Sequence, residues 1–128
     1  MSRTRKQRAV RCVYEAQHRD FFPISSVCKA LHALIVKDRQ VIGDGLFNLG
    51  SGTSMSVWDM ASLTQNRCEK LLGKKVPLSK SICPQNSTSL NYVVQKLKNA
   101  GIDYDVDHIN EIDRLIEFCV KNFSDLGN

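Results

Sequence analysis

The sequence predicts an α/β fold in which a small mixed sheet of short strands packs with about four helices. Three observations predict it. Several stretches repeat apolar residues at helical spacing, short runs rich in β-forming residues lie between them, and glycines mark the ends of both kinds of segment. The length of 128 residues suits one domain with a real hydrophobic core.

Two short β-rich runs come first. Ala9 to Tyr14 and Arg19 to Ile24 are rich in β-formers, and only residues 15–18 separate them. This spacing predicts a hairpin or a tight return. Pro23 fits best near the end of a strand or on an edge, because proline has no N–H to donate to a neighbouring strand.

The first helix is predicted from a serine cap, Ser25 or Ser26, to about Lys37. His32 lies within it and is interpreted as a partly exposed or hydrogen-bonded histidine rather than a catalytic one. A polar connection, Asp38 to Asp44, follows. The apolar residues expected on one face of this helix are Val27, Ala30, Leu31, Leu34 and Ile35.

The central segment begins with an apolar run and a glycine-rich turn. Leu46 to Leu49 is predicted as a short covered strand. Gly50 and Gly52 follow it and allow the backbone to turn sharply. The turn is interpreted as a structural strand-to-helix connection rather than a phosphate loop. It lacks the Gly-Lys-Ser/Thr ending of a Walker loop, and it lacks the third glycine and the downstream acid of a dinucleotide-binding motif.

The second helix is predicted from Ser56 to Leu72 and has clear signals at both ends. Ser56 and Asp59 have the spacing of a capping box, and Gly73 is placed as a left-handed C-cap. Trp58 falls beside the apolar face, either at the edge of the core or as a contact for another domain, and the second interpretation is favoured.

The last third of the chain predicts two more helices. Lys74 to Ile82 is a basic connector with a short strand around Val76 and Leu78. An apolar stripe then runs from Ser89 to Ala100. The final helix, from about Val106 to Phe123, has a continuous apolar face that requires a partner surface.

Charge and cysteine content restrict the functional class. The net charge is +5, and residues 1–11 hold five basic and no acidic side chains, so the remainder sums to zero. Residues 1–8 are predicted to be a basic flexible arm and residues 9–128 the domain. Nucleic acid is therefore an unlikely partner for the domain, although the arm could touch phosphates.

The five cysteines are odd in number and widely spaced, without Cys-x-x-Cys or a cluster with zinc-ligand spacing. They are expected to be buried free thiols in a reducing compartment. Because no cluster has metal-ligand spacing, no bound metal is expected. With no signal peptide or long apolar run, the sequence predicts a cytoplasmic protein that does not enter a membrane.

Two motifs resemble a known family. Arg19-Asp20-Phe21 and, downstream, Gly45-Leu-Phe-Asn-Leu-Gly-Ser-Gly52 with a capped helix are similar to the carboxyl-terminal part of extended short-chain dehydrogenases/reductases. These are NAD(P)-dependent epimerases and dehydratases of nucleotide sugars, active in carbohydrate metabolism. The resemblance covers about residues 9–123 and implies the substrate-binding lobe of that family.

The cofactor-binding and catalytic motifs of this family are missing. No Gly-x-x-Gly-x-x-Gly turn occurs, and the one Tyr-x-x-x-Lys match, Tyr92 with Lys96, lies in the third predicted helix rather than in a nucleotide-binding half. We interpret this match as chance. The chain is therefore expected to have no catalytic residue of its own and no bound cofactor, with NAD(P) only in a complete enzyme.

The resemblance carries one functional residue over to this chain. Arg19 stands at the arginine that reaches the diphosphate of the nucleotide sugar, and a guanidinium fork suits that contact. From the residues alone, Arg19 reads equally as an exposed strand arginine. Asp20 is expected to hold loop structure. The family's next acid is replaced by Ser26, and its Arg-x-Gly-Asp segment by residues 83–86, which removes a second positive partner.

The main hypothesis is a nucleotide-sugar-binding domain of an NAD(P)-dependent epimerase/dehydratase (an isomerase in the epimerase case) that is inactive alone. Its expected partners are a nucleotide sugar and a Rossmann-domain chain or a second copy of itself. The alternative is a non-catalytic protein-interaction or dimerisation module derived from that domain.

Overall fold

The computed structural model describes residues 10–12, 16–80 and 92–123. The predicted arm at residues 1–8 and the segment at residues 83–86 lie outside these ranges. The described residues form a mixed α/β structure with five helices, two of them shorter than six residues. The elements in chain order are β1 (Val10–Cys12), β2 (His18–Arg19), α1 (Ile24–Val36), α2 (Arg39–Ile42), β3 (Met55–Ser56), α3 (Val57–Leu72), β4 (Leu78–Lys80), α4 (Gln95–Asn99) and α5 (His108–Phe123).

The strands form two separate pairs. β1 and β4 are parallel, with Val10 opposite Leu78, whereas β2 and β3 are antiparallel, with His18 opposite Ser56. The predicted hairpin between the first two β-rich runs is therefore wrong. Each run pairs with a distant segment instead, and β4 confirms the short strand predicted around Leu78.

The strand predicted at Leu46–Leu49 is also wrong. This segment has no strand partner among the described residues. The strand β2 pairs with Met55–Ser56, further along the chain. Side chains hold it in place: the Lys96 ammonium donates to the Leu46 carbonyl at 2.7 Å, and the Asn48 amide contacts the Val93 carbonyl at 3.4 Å. Leu46 itself is 75% exposed rather than covered.

Helix α3 confirms the prediction at both ends. The Ser56 hydroxyl oxygen accepts the Asp59 N–H at 3.0 Å, and the hydroxyl donates to the Asp59 carboxylate at 2.6 Å. Gly73 ends the helix in the left-handed conformation, with φ of 64°. Both signals are local in sequence, which is why the boundaries could be predicted.

Helix α1 begins differently from the prediction. Its N-cap is Pro23, without a side-chain cap, because Ser25 and Ser26 bond to distant residues instead. The predicted single apolar face is wrong as well: Ala30 is fully buried, whereas Ile35 is 81% exposed. His32 is exposed, in line with its structural interpretation. The polar connection that follows α1 contains the short helix α2.

The core is built from two groups of buried residues. One group centres on Leu97 of α4 and Ala30 of α1, and the other is the inner face of α5 at Ile112 and Ile116. The members of the first group are Ala30, Val94, Leu97, Ala100 and Ile102. In the predicted third helix only Gln95–Asn99 is helical among the described residues, while α5 is confirmed from His108 onwards.

The three cysteines whose side chains are described are free but less buried than expected. Cys28 and Cys119 are exposed and Cys68 is half-buried, so the prediction of buried thiols is wrong for the first two. They lie on helix faces that the described part of the chain leaves uncovered. No helix in the described ranges is long and apolar enough to cross a bilayer.

Candidate functional site

The structure brings the two sequence motifs together through Asp20. Its carboxylate accepts the Ser51 backbone N–H, with oxygen to nitrogen distances of 2.8 and 3.1 Å. One residue before Asp20, Arg19 of β2 pairs with Met55 of β3. The segment after the glycine turn is therefore also joined to the strand that carries Arg19. The expectation that Asp20 holds loop structure is confirmed, and the glycine turn is fixed to the strand that carries Arg19.

Gly50 lies at the centre of this junction, where a side chain would collide with the Asp20 carboxylate. A Cβ atom placed on it would stand 2.5 Å from the Asp20 Oδ2 atom and 3.1 Å from the Tyr92 Cβ atom. Its carbonyl accepts the Tyr104 hydroxyl at 2.5 Å. Glycine is favoured here because a Cβ atom would displace the Asp20 carboxylate that holds the turn. The turn is held from both sides by groups distant in sequence.

Tyr104 connects this turn to the segment before α5. Its ring packs against Phe22 with a centroid distance of 5.1 Å. Burial, with the nearby Asp20 charge as a smaller cause, raises the pKa of the Tyr104 phenol above its ordinary value. The phenol is therefore held as a neutral donor to Gly50. No sequence signal points to this role of Tyr104, because Tyr104 and Gly50 are far apart along the chain.

Two further bonds position the chain after Arg19. A ring nitrogen of His108 lies 2.6 Å from the Phe21 carbonyl oxygen. The buried Ser26 hydroxyl donates to the Asp105 carbonyl at 2.5 Å. Ser26 thus joins α1 to the segment before α5.

Arg19, the predicted binding residue, is exposed. Its guanidinium makes one long contact, 3.5 Å, to the His18 carbonyl oxygen. Among the described residues no carboxylate lies within ion-pair distance of it. Most of its donors therefore face solvent, and the fork is available for a carboxylate or phosphate.

The glycine turn is occupied by protein groups rather than shaped for an anion. The Ser51 N–H is bonded to a carboxylate, which would repel a phosphate. Gly52 has φ of 76°, a conformation that favours glycine, and a Cβ atom there would stand 3.0 Å from Val94. These contacts support the structural interpretation of the turn.

Lys96, the second residue of the Tyr-x-x-x-Lys match, is bonded to groups of the loop before the glycine turn. The Lys96 ammonium bonds to the Asp44 carboxylate and the Leu46 carbonyl, and lies 4.9 Å from the centroid of the Phe47 ring. The Lys96 hydrogen bond is the main cause that lowers the pKa of Asp44. Lys96 therefore anchors the loop before the glycine turn.

No group of three or more His, Cys, Asp or Glu side chains in the described ranges is arranged to hold a metal ion. Comparison with protein-family models, with curated proteins and with solved structures finds no match for this chain.

Proposed function

We propose that this chain is a nucleotide-sugar-binding domain resembling the substrate lobe of extended short-chain dehydrogenases/reductases, without turnover of its own. The observation that carries the proposal is the junction of the two motifs. Asp20 fixes the Gly50–Gly52 turn to the strand that ends in Arg19, and the Arg19 guanidinium is exposed and has no ion pair with any residue that the structure describes. The motif pair that suggested the family is also one structural unit.

The chemistry of Arg19 fits a diphosphate. A guanidinium presents its N–H donors in a planar fork and stays charged at any physiological pH, so it can bond two phosphate oxygens at once. A rigid strand anchored at its neighbour Asp20 limits the entropy lost when the ligand binds. In this proposal Arg19 binds substrate, and NAD(P) and the catalytic pair belong to a separate lobe.

The test is calorimetric titration of the purified chain with UDP-, GDP-, dTDP- and ADP-sugars, comparing wild type with Arg19→Ala. A charge-assisted hydrogen bond contributes about 1.5–3 kcal/mol, so we expect the variant to lose roughly 10- to 150-fold in affinity. Arg19→Lys should retain part of the binding, because it keeps the charge and loses the fork.

Arg11→Ala is the matched control, because Arg11 is an exposed strand arginine on the other sheet. It should bind as wild type does, within about twofold. If no member of the panel binds, or if Arg19→Ala binds as well as Arg11→Ala, the proposal is wrong. The same samples supplied with NAD should show no epimerase or dehydratase activity.

The second candidate function is a non-catalytic interaction or dimerisation module. The observation that favours it is the exposure of large apolar side chains on the outer faces of α1 and α5. Ile35 of α1 is 81% exposed, and Leu115 of α5 is 61% exposed. Faces of this kind mark interaction sites when their residues are contiguous.

A further inference from the structure

Helix α1 is apolar on two opposite sides. Ser26 and Ala30 face the core, whereas Ile24, Leu31 and Ile35 on the other side are 65%, 44% and 81% exposed. Their separations of seven and four residues place them on one stripe. Contiguous exposed apolar side chains of this kind mark interaction sites on protein surfaces, so this stripe is a candidate contact for a partner.

The first turns of α1 and the middle of α5 enclose a groove of about 630 Å³. Ile24 and Cys28 of α1 line one side, and Leu115 and Phe118 of α5 line the other. Phe118 is 56% exposed. We call the stripe and the groove together the outward face, made of Ile24, Cys28, Leu31, Ile35, Leu115 and Phe118.

The groove also holds one charge of each sign. Glu111 accepts the Ser25 hydroxyl at 2.8 Å, and Arg114 lies one turn further along α5. Arg114 is exposed and makes no ion pair within the described ranges. A two-fold contact brings the same patch of both copies together, so a patch with both signs can be complementary to itself.

We propose that the outward face binds a second copy of this chain through an isologous contact. In it, Arg114 of each copy lies opposite Glu111 of the other, and the apolar side chains of α1 and α5 cover one another. The two charges are about 4.5 Å apart along the axis of α5, so an antiparallel arrangement of the two α5 helices aligns both pairs at once.

The size of the outward face sets the strength of the dimer. From Ile24 to Ile35 the helix rises about 16 Å, and two helices side by side are about 20 Å wide. The resulting patch of a few hundred Å² is smaller than the roughly 800 Å² per partner of a stable complex. We therefore expect a weak dimer with a dissociation constant in the micromolar range or above.

The test is sedimentation equilibrium over protein concentrations from about 10 µM to 1 mM, which spans such constants. Arg114→Glu alone and Glu111→Arg alone should each weaken self-association at least tenfold, because like charges then meet across the two-fold axis. An equimolar mixture of the two variants should associate at least as well as wild type, since both charge pairs are restored in the mixed dimer.

Leu115→Glu against Leu46→Glu tests the apolar part of the contact, independently of whether Glu111→Arg folds. Leu115 is 61% exposed within the outward face, and Leu46 is 75% exposed outside it. Only the first substitution should weaken association. A monomeric wild type at all concentrations, or a mixture that fails to associate when both variants fold, overturns the proposal.

This inference does not rest on nucleotide-sugar binding, because Arg19 is not part of the outward face. Calorimetry on the same variants distinguishes the two proposals. Arg114→Glu should retain any sugar-nucleotide affinity, and Arg19→Ala should retain self-association. If Arg19→Ala keeps its sugar-nucleotide affinity, the binding proposal has failed. If Arg114→Glu keeps its self-association, the dimer proposal has failed.

Discussion

At the scale of single residues, the junction at Gly50 depends on contacts between groups that are far apart in sequence. Asp20 holds the turn from the side of β2, and Tyr104 holds it from the segment before α5. Gly50 tolerates both because it has no side chain. Removing any one of the three groups should loosen the turn that follows Arg19.

Tyr104→Phe tests this junction directly. The substitution removes the hydroxyl that donates to the Gly50 carbonyl and should cost about 1 kcal/mol of unfolding free energy at neutral pH. Urea unfolding monitored by circular dichroism measures the change. Tyr92→Phe is the control, because Tyr92 is 45% exposed, and it should change stability by less than about 0.5 kcal/mol. Equal stability of the two variants would exclude a contribution from the hydroxyl.

The pH dependence of the same pair gives a second measurement. Burial, and to a smaller extent the Asp20 charge, raises the folded-state pKa of Tyr104 above the unfolded value near 10. The stabilisation is therefore complete below about pH 10 and is lost as the pH rises towards the folded pKa. Wild type should lose this increment of stability in alkali, and Tyr104→Phe should not.

At the scale of elements, one ion pair connects the two longest helices. The Arg67 guanidinium of α3 donates to both oxygens of Asp113 on α5, at 2.7 and 2.6 Å. The two side chains are only 15% and 23% exposed. The hydrogen bond from Arg67 is the main cause that lowers the pKa of Asp113 below its ordinary value. This pair fixes the rotation of α5 against α3.

Asp113→Asn should destabilise the protein at pH 7, because it leaves the Arg67 charge without its partner. Since the folded-state pKa of Asp113 is lowered, the stabilisation is present above about pH 4 and is lost as the pH falls below it. The difference from wild type in urea midpoint should therefore shrink between about pH 7 and pH 3. Asp103→Asn, at an exposed position, is the control. If the difference in urea midpoint between wild type and Asp113→Asn is the same at pH 3 as at pH 7, the ion pair with Arg67 is not the source of the stabilisation.

The accuracy of the sequence predictions also depends on the scale of the interaction. The ends of α3 were predictable because Ser56, Asp59 and Gly73 act within a few residues of the backbone groups they satisfy. The partner of β1 was not, since β4 lies more than sixty residues away and nothing local specifies a parallel pair. The apolar run at Leu46–Leu49 predicts a strand from its apolar residues, but Phe47 and Leu49 pack against the core without strand pairing in the described part of the chain and Leu46 is exposed.

The candidate site shows the same division. The structural role of Asp20 was predictable from the sequence and is confirmed by its bonds to the Ser51 N–H, whereas ligand binding by Arg19 stays a prediction. The convergence of Tyr104 and His108 on that motif could not be predicted, since their partners, Gly50 and Phe21, are backbone carbonyls far along the chain. Exposure of Ile35 was missed because helical periodicity identifies an apolar face without saying which neighbour covers it.

At the scale of the whole molecule, the question is whether its two buried groups unfold together. Leu97 lies in one group, and Ile112 and Ile116 lie in the other. Bonds that cross between the surrounding segments, such as Ser25 to Glu111 and Ser26 to the Asp105 carbonyl, couple α1 to α5 and its approach. Such coupling favours a single cooperative transition in a domain of this size.

Leu97→Ala distinguishes one cooperative unit from two. Leu97 is 1% exposed, so the truncation should cost about 2–5 kcal/mol, a large part of the roughly 5–15 kcal/mol that stabilises an ordinary domain. Trp58, the only tryptophan, lies on α3 outside the Leu97 group and reports on the other part of the molecule by fluorescence. If the molecule is one unit, its fluorescence and the far-ultraviolet circular dichroism must shift to lower urea by the same amount. Leu46→Ala, at a 75% exposed position, should shift neither. Alternatively, the Trp58 fluorescence transition stays at the wild-type midpoint while the circular dichroism transition moves. That result would show that the α3–α5 part remains folded when the packing around Leu97 is lost, so the two groups unfold separately.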